Sequence, residues 1–153
     1  MAEGIKIVTK NRKARHEFSI EETLEAGLVL RGSEVKSIRE GRISLQEAFC
    51  RVENGEMTLF NCHIAPYSHV DESTAPDATR PKKLLLHGTE IRRWEKESHQ
   101  KGYTIIPLMV YFRDGYAKVE IGLAKGKKLY DKRADIAEKE AKRRMEQLSR
   151  KSY

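Results

Sequence analysis

Two strings in this chain are built from groups that hold phosphate. Asn11-Arg12-Lys13-Ala14-Arg15 stands near the start, and Lys125-Gly126-Lys127-Lys128 opens the last 29 residues. Residues 125–153 carry eleven Lys or Arg against five Asp or Glu, so +6 of the formal charge of +7 resides there. Residues 1–16 add five cations against Glu3, which leaves the middle of the chain net acidic. Cations gathered at both ends of a near-neutral body suit a polyanion, because each neutralised phosphate releases a condensed counterion. Arg12, Lys13, Arg15, Lys36, Lys82 and Lys83 are candidate phosphate contacts. Asn11 offers a carbonyl acceptor and an amide donor, suited either to specific bonds with RNA or to forming a turn.

Other chemistries find little support. His16, His63, His69, His87 and His99 are scattered, without nucleophile or ligand spacing. A ribonuclease using His16 and His87 as acid and base is the one enzymatic reading to weigh, and a binding protein that is not an enzyme is expected instead. No Gly-rich phosphate loop of the GxxxxGK[ST] kind is present. Cys50 and Cys62 read as reduced thiols within strands, and neither His63 nor His69 completes a zinc knuckle. No metal or cofactor is expected. No apolar run approaches the roughly 20 residues of a bilayer span, and the N-terminus lacks an apolar signal core, so a cytoplasmic protein without a membrane role is expected.

These residues must be positioned by a body of about 120 residues, enough for one core. Ser19 followed by Glu22 reads as a capping box, with Phe18 as a staple onto Thr23 or Leu24 and Gly27 as terminator, which predicts a two-turn helix from Ser19. Residues 28–30 and 35–39 read as strand, bent at Gly32. Residues 44–47 read as one helical turn. Residues 48–52 and 57–64 form a hairpin about Glu53-Asn54-Gly55. Residues 66–82 hold three of the four prolines and form the one long loop. Residues 84–101 read as a helix capped by Thr89, with Ile91 and Trp94 inward and Gly102 ending it. Residues 103–112 and 116–124 form a second hairpin about Arg113-Asp114-Gly115. About six strands and two or three short helices result. The expected class is mainly β with short helices: an OB-like antiparallel barrel with flanking helices and a basic C-terminal tail.

The expected division is a barrel over 1–124 and a tail over 125–153. From Ala134 the composition favours helix, and Ala137, Ala141, Met145 and Leu148 fall on one narrow stripe. That stripe buries little, so the tail is expected to be disordered when free and helical on its partner.

The strings at residues 11–41 (NRKARHEFSIEETLEAGLVLRGSEVKSIREG), 80–87 (RPKKLLLH) and 122–133 (GLAKGKKLYDKR) closely resemble the family of small protein B, the bacterial SsrA-binding proteins. The resemblance covers essentially the whole chain. It implies an OB-like barrel that clamps the tRNA-like part of transfer-messenger RNA (tmRNA, or SsrA RNA). It further implies delivery of alanyl-tmRNA to the A site of stalled ribosomes in trans-translation, ending in peptide tagging and ribosome rescue. The tail would probe the empty mRNA channel beside the decoding centre of the small subunit. Elongation factor Tu would join through the tmRNA complex. Nothing in the sequence specifies an oligomer, and a monomer is the default expectation.

By the same resemblance Asn11, Glu25 and Leu85 match positions tied to tmRNA. Lys125, Gly126, Lys127 and Lys128 match the turn that opens the tail, and Asp131, Lys132 and Arg133 match its DKR motif. Tyr130 stands where some members carry histidine in a base-stacking role. Tyrosine stacks but carries no positive charge. On the residues alone, Glu25 is an exposed helix acid or an acceptor for base edges and 2′-hydroxyls. Leu85 is a core residue or a contact for a splayed base. A general RNA-binding or ribosome-associated protein without a tmRNA role fits the charge pattern equally well, and only the motif strings favour the tmRNA reading.

Overall fold

The computed structural model describes residues 4–69, 75–127 and 139–146. Nine strands and three helices follow one another as β1 (Ile5–Lys10), α1 (Arg12–Glu17), β2 (Phe18–Leu28), α2 (Gly32–Arg39), β3 (Ile43–Ser44), β4 (Phe49–Glu53), β5 (Glu56–Phe60), β6 (His63–Ile64), β7 (Lys82–Leu85), α3 (Gly88–Lys101), β8 (Thr104–Arg113) and β9 (Tyr116–Gly126). Residues 139–146 form a further short, exposed helical stretch. No helix among the described residues is long and apolar enough to cross a membrane.

The pairings close on themselves. β8 meets β4, and the circuit continues through β5, β7, β2 and β9 back to β8, every pair antiparallel. β1 attaches outside the ring, along β8. The seam between β4 and β8 rests on one pair, Cys50 with Ile105. Both hairpins form where expected, because Asn54-Gly55 and Asp114-Gly115 each supply two consecutive positive φ values, the demand of a tight primed turn. Inside lie Met57, Leu59, Leu84, Val110, Val119, Ile121 and Leu123, closed at one end by Trp94 of α3.

The β2–β9–β8 wall is buried on both faces. A bulge after Ile20 in β2 and another after Pro107 in β8 swap which side chains point inward. Beyond the bulges, Phe18, Ile20, Ile106, Leu108 and Ala124 face outward and pack beneath Ala14 of α1. Gly122 permits this, since a Cβ there would come within 2.9 Å of the Leu108 side chain. This two-sided burial explains why residues 105–108 form an unbroken buried run rather than an alternating one.

Several sequence expectations are corrected. Residues 19–26 are strand, because Leu24, Ala26 and Leu28 keep a two-residue period that outweighs the Ser19–Glu22 capping pattern. Glu22 accepts instead from both Arg93 terminal nitrogens, at 2.6 and 2.7 Å, and from Trp94 Nε1 at 3.1 Å, which ties α3 to β2. Residues 35–39 are helix: Glu34, Ser37 and Ile38 form one buried face at helical spacing, and the Glu34 carboxylate caps the Arg31 N–H. Residues 44–47 make no helix, for Ser44 ends β3 and a turn follows. The strand expected over 57–64 breaks at Asn61, whose φ is 57°. β1 was not foreseen. Residues 84 and 85 belong to β7, and α3 begins at Gly88, with Glu90 reaching back to the His87 N–H in place of a Thr89 cap. Gly102 ends α3 in the left-handed region, as expected.

Arg80 brings the long loop back onto the body. Its Nη2 lies 2.6 Å from the Glu34 carboxylate, which is only 3% exposed. Ser37 Oγ donates to the Ala65 carbonyl at the other end of the loop.

Candidate nucleic-acid interface

α1 is the short helix that carries the first basic string. Asn11 caps it: its Oδ1 accepts from the Ala14 N–H at 3.1 Å. Its Nδ2 donates to the Pro107 carbonyl at 2.9 Å and to the Leu45 carbonyl at 3.3 Å. Asn11 is only 6% exposed, so its amide is spent inside the protein. Its neighbours are not. Arg12, Lys13, Arg15 and His16 are exposed on the helix it fixes. Lys13 makes a loose ion pair with Glu47 at 3.5 Å and Arg15 with Glu120 at 3.4 Å, separations that leave both cations able to meet a phosphate.

The root of the cationic tail meets this helix. Gly126 pairs with Phe18, and the Lys127 N–H donates to the Glu17 carbonyl at 2.8 Å. Lys125 stands over the Tyr103 ring at 5.1 Å. Lys125 and Gly126, assigned to the tail from sequence, lie in β9. The basic string of residues 10–15 and the start of the basic string at 125–128 thus adjoin. Lys128, Tyr130, Asp131, Lys132 and Arg133 lie outside the described residues.

A second cluster sits elsewhere on the barrel. Gly27 of β2 pairs with Leu85 of β7, and Glu25, Leu85, Leu86, His87 and Glu90 line one shallow depression. Leu85 is 56% exposed, an unusual position for leucine. Gly27 is the residue that admits it, for a Cβ there would stand 3.2 Å from the Leu85 Cβ. Glu25 lies on β2, not on a helix. Its Oε2 accepts from the Tyr111 hydroxyl and from Arg113 Nε at 3.1 Å, and Arg113 Nη2 lies 3.0 Å from it as an ion pair. Burial and the neighbouring Glu25 charge push the Tyr111 hydroxyl up to about 12, so it remains a donor throughout the neutral range. Tyr111 and Arg113 share one side of β8 by their two-residue spacing, but only the intervening β9 pairing brings them near Glu25, so sequence reading missed both.

The remaining candidates separate. Lys36 is exposed on α2 and stands over Tyr67 at 5.6 Å. Lys83 is exposed and pairs with Glu56 at 3.1 Å. Lys82 is fully enclosed, and its Nζ donates to the carbonyls of Cys62 and Arg80 at 2.9 and 2.8 Å. A phosphate cannot reach it, and this candidate is corrected: alternation along β7 turns Lys82 and Leu84 inward and Lys83 and Leu85 outward. Burial lowers the Lys82 pKa and pushes both thiols, Cys50 and Cys62, well above the usual thiol range. No three His, Cys, Asp or Glu side chains gather as a metal site among the described residues.

A closed OB-like barrel with exposed cations on a docked helix, and Lys125 to Lys127 of a second basic string beside them, defines the class: a small nucleic-acid-binding barrel protein. The chain belongs to the SmpB protein family, whose model matches residues 8–151. It is 52% identical over 143 residues to an SsrA-binding protein of Pelotomaculum thermopropionicum, covering 94% of this chain and 93% of the relative. It is 53% identical over 145 residues to one of Desulforudis audaxviator, covering 95% and 94%. A solved structure described as "tmRNA-SmpB: a journey to the center of the bacterial ribosome" contains a chain that is 48% identical, with a TM-score of 0.66 over 79% of this chain and 85% of that one.

Proposed function

We propose that this protein binds the tRNA-like part of tmRNA and brings it to stalled ribosomes in trans-translation. The observation that carries the reading is similarity along nearly the whole chain, at about half identity, to SsrA-binding proteins. The geometry supports a division of labour. The barrel holds folded RNA through the α1 cations Arg12, Lys13 and Arg15 and through the Glu25–Leu85 depression, and Lys36 and Lys83 add charge. Asn11 contributes by fixing α1 rather than by touching RNA. The tail beyond Lys127 enters the empty mRNA channel near the decoding centre, with the string from Lys128 to Arg133 as its reading segment. The protein acts by binding and not by catalysis, in the cytoplasm, and meets elongation factor Tu only through the RNA.

The test is to tag the protein in its host and sequence the RNA that co-purifies. A single enriched RNA with a tRNA-like end and an internal reading frame is expected. Enrichment of ribosomal RNA alone, with no such species, would reduce the protein to a general ribosome-associated factor.

A further inference from the structure

Glu25 poses a problem that its surroundings resolve. A bare carboxylate on an RNA-facing surface repels phosphate. Here two donors converge on one of its oxygens, Oε2, the Tyr111 hydroxyl and Arg113 Nε, and Arg113 Nη2 completes an ion pair at 3.0 Å. The guanidinium offsets the negative charge, and the fork and the phenol together hold the side chain in one orientation. The other oxygen, Oε1, accepts from no described residue. Glu25 lines a depression with Leu85, Leu86, His87 and Glu90, which holds two carboxylates and no Lys or Arg. Two carboxylates with no Lys or Arg beside them disfavour a phosphate there. A group that donates hydrogen bonds and has an apolar face fits, with Leu85 beneath it.

We propose that Tyr111 and Arg113 are positioning residues that make Glu25 a charge-compensated acceptor for the amino-bearing edge of an unpaired base packed on Leu85. Adenine, cytosine and guanine each carry such an amino group, and unstacked bases are the usual targets of specific RNA recognition. Tyr111 suits the role because it is buried and stays protonated. Arg113 suits it because its fork engages one carboxylate oxygen and leaves the second open. The proposal rests on the functional reading above.

The test is a double-mutant cycle in the full-length chain, with a transcript of the tRNA-like part of the host's tmRNA as probe. Glu25→Gln, Arg113→Gln and Tyr111→Phe are each expected to weaken binding about 5- to 150-fold, the scale of one lost specific base contact. In a Glu25→Gln background, Arg113→Gln and Tyr111→Phe are expected to cost less than about twofold more, since positioning residues act only through the carboxylate. The salt dependence of binding is the second readout. Loss of a phosphate contact lowers the log–log slope by about 0.7 to 0.9, whereas loss of a positioning residue leaves it unchanged. Melting curves of each variant identify any that unfold, and Tyr111→Phe, which keeps its packing, serves if Arg113→Gln does. Losses that multiply across the cycle, or a slope that falls with Arg113→Gln, would make Arg113 a direct RNA contact and overturn the proposal alone. Absence of binding by the unaltered protein would sink the functional reading and this proposal with it.

Discussion

The Asn11 side-chain amide donates to the Pro107 carbonyl at 2.9 Å, joining the cap of the basic helix to the middle of β8. The same side chain caps Ala14 and reaches Leu45. A six-residue helix has little intrinsic stability, so its cations are held in place by this cap and by Ala14 beneath it. Asn11→Ala is therefore expected to cost about 1–3 kcal/mol of stability, from a lost cap and the lost bonds to the Pro107 and Leu45 carbonyls. RNA affinity should fall about as far as for removing one α1 cation. Urea unfolding and filter binding measure the two effects, and full stability with reduced affinity would mean that Asn11 touches RNA itself.

Glu22 makes a pH prediction. The Arg93 hydrogen bonds hold its carboxyl below the ordinary value of 4.5, partly offset by burial and helped by Trp94. A carboxylate with a depressed folded pKa contributes stability that is present above the unfolded value and lost as pH falls through the folded one. Both partners are substantially exposed, so the contribution stays below about 1 kcal/mol. Glu22→Gln should thus lower the urea midpoint slightly at pH 7 and flatten its decline below pH 4.5. An unaltered acid limb would show that the Glu22–Arg93 pair does not form in solution.

How much of this was legible beforehand varies with the physical source of the signal. Asn54-Gly55 and Asp114-Gly115 declare their turns locally, and Trp94 and Ile91 declare the inner face of α3 by spacing. Residues 18–28 misled because Ser19 and Glu22 mimic a helix start, while Glu22 places a charged side chain on the two-residue period of Phe18, Ile20, Leu24, Ala26 and Leu28 that would have given the strand away. Lys82 and Lys83 are chemically identical, and only the register of β7 decides that one is buried and the other exposed. Glu25 and Leu85 were each legible as candidates. Their meeting depends on the β2–β7 pairing, and the approach of Tyr111 and Arg113 on the order of three strands, none of which is a local property of the chain.

Lys82 offers a sharp contrast with its neighbour. Burial lowers its folded pKa from 10.5, so between the folded and unfolded values the unfolded chain binds more protons and stability rises with pH. Lys82→Met should abolish that alkaline rise. It should also cost about 1–3 kcal/mol at neutral pH, because the Cys62 and Arg80 carbonyls lose their donor. RNA affinity at a temperature where the variant is folded should stay within about twofold, and the salt slope should not change. A drop in slope close to that of Lys83→Ala would show that Lys82 leaves its enclosure to meet phosphate.

The tail prediction follows from where the tail begins. Gly126 is paired in β9 and Lys127 is bonded to Glu17, so the chain is anchored to the barrel beside the α1 cations as far as Lys127. A chain ended before Tyr130 retains this anchor and every described barrel contact. It should therefore fold normally and hold tmRNA within a few-fold of the full protein. Residues 139–146 expose all their side chains, Met145 among them at 71%, so whatever those residues do requires a surface the barrel does not supply. If that surface is the mRNA channel, the shortened protein should bind tmRNA yet support no tagging on ribosomes stalled at the end of a message. Tagging can be read from the addition of the tag peptide to a reporter translated from a message without a stop codon. Tagging by the shortened chain at the normal rate would confine the protein's work to the barrel, and loss of tmRNA affinity in parallel with tagging would make the tail part of the RNA clamp rather than a channel probe.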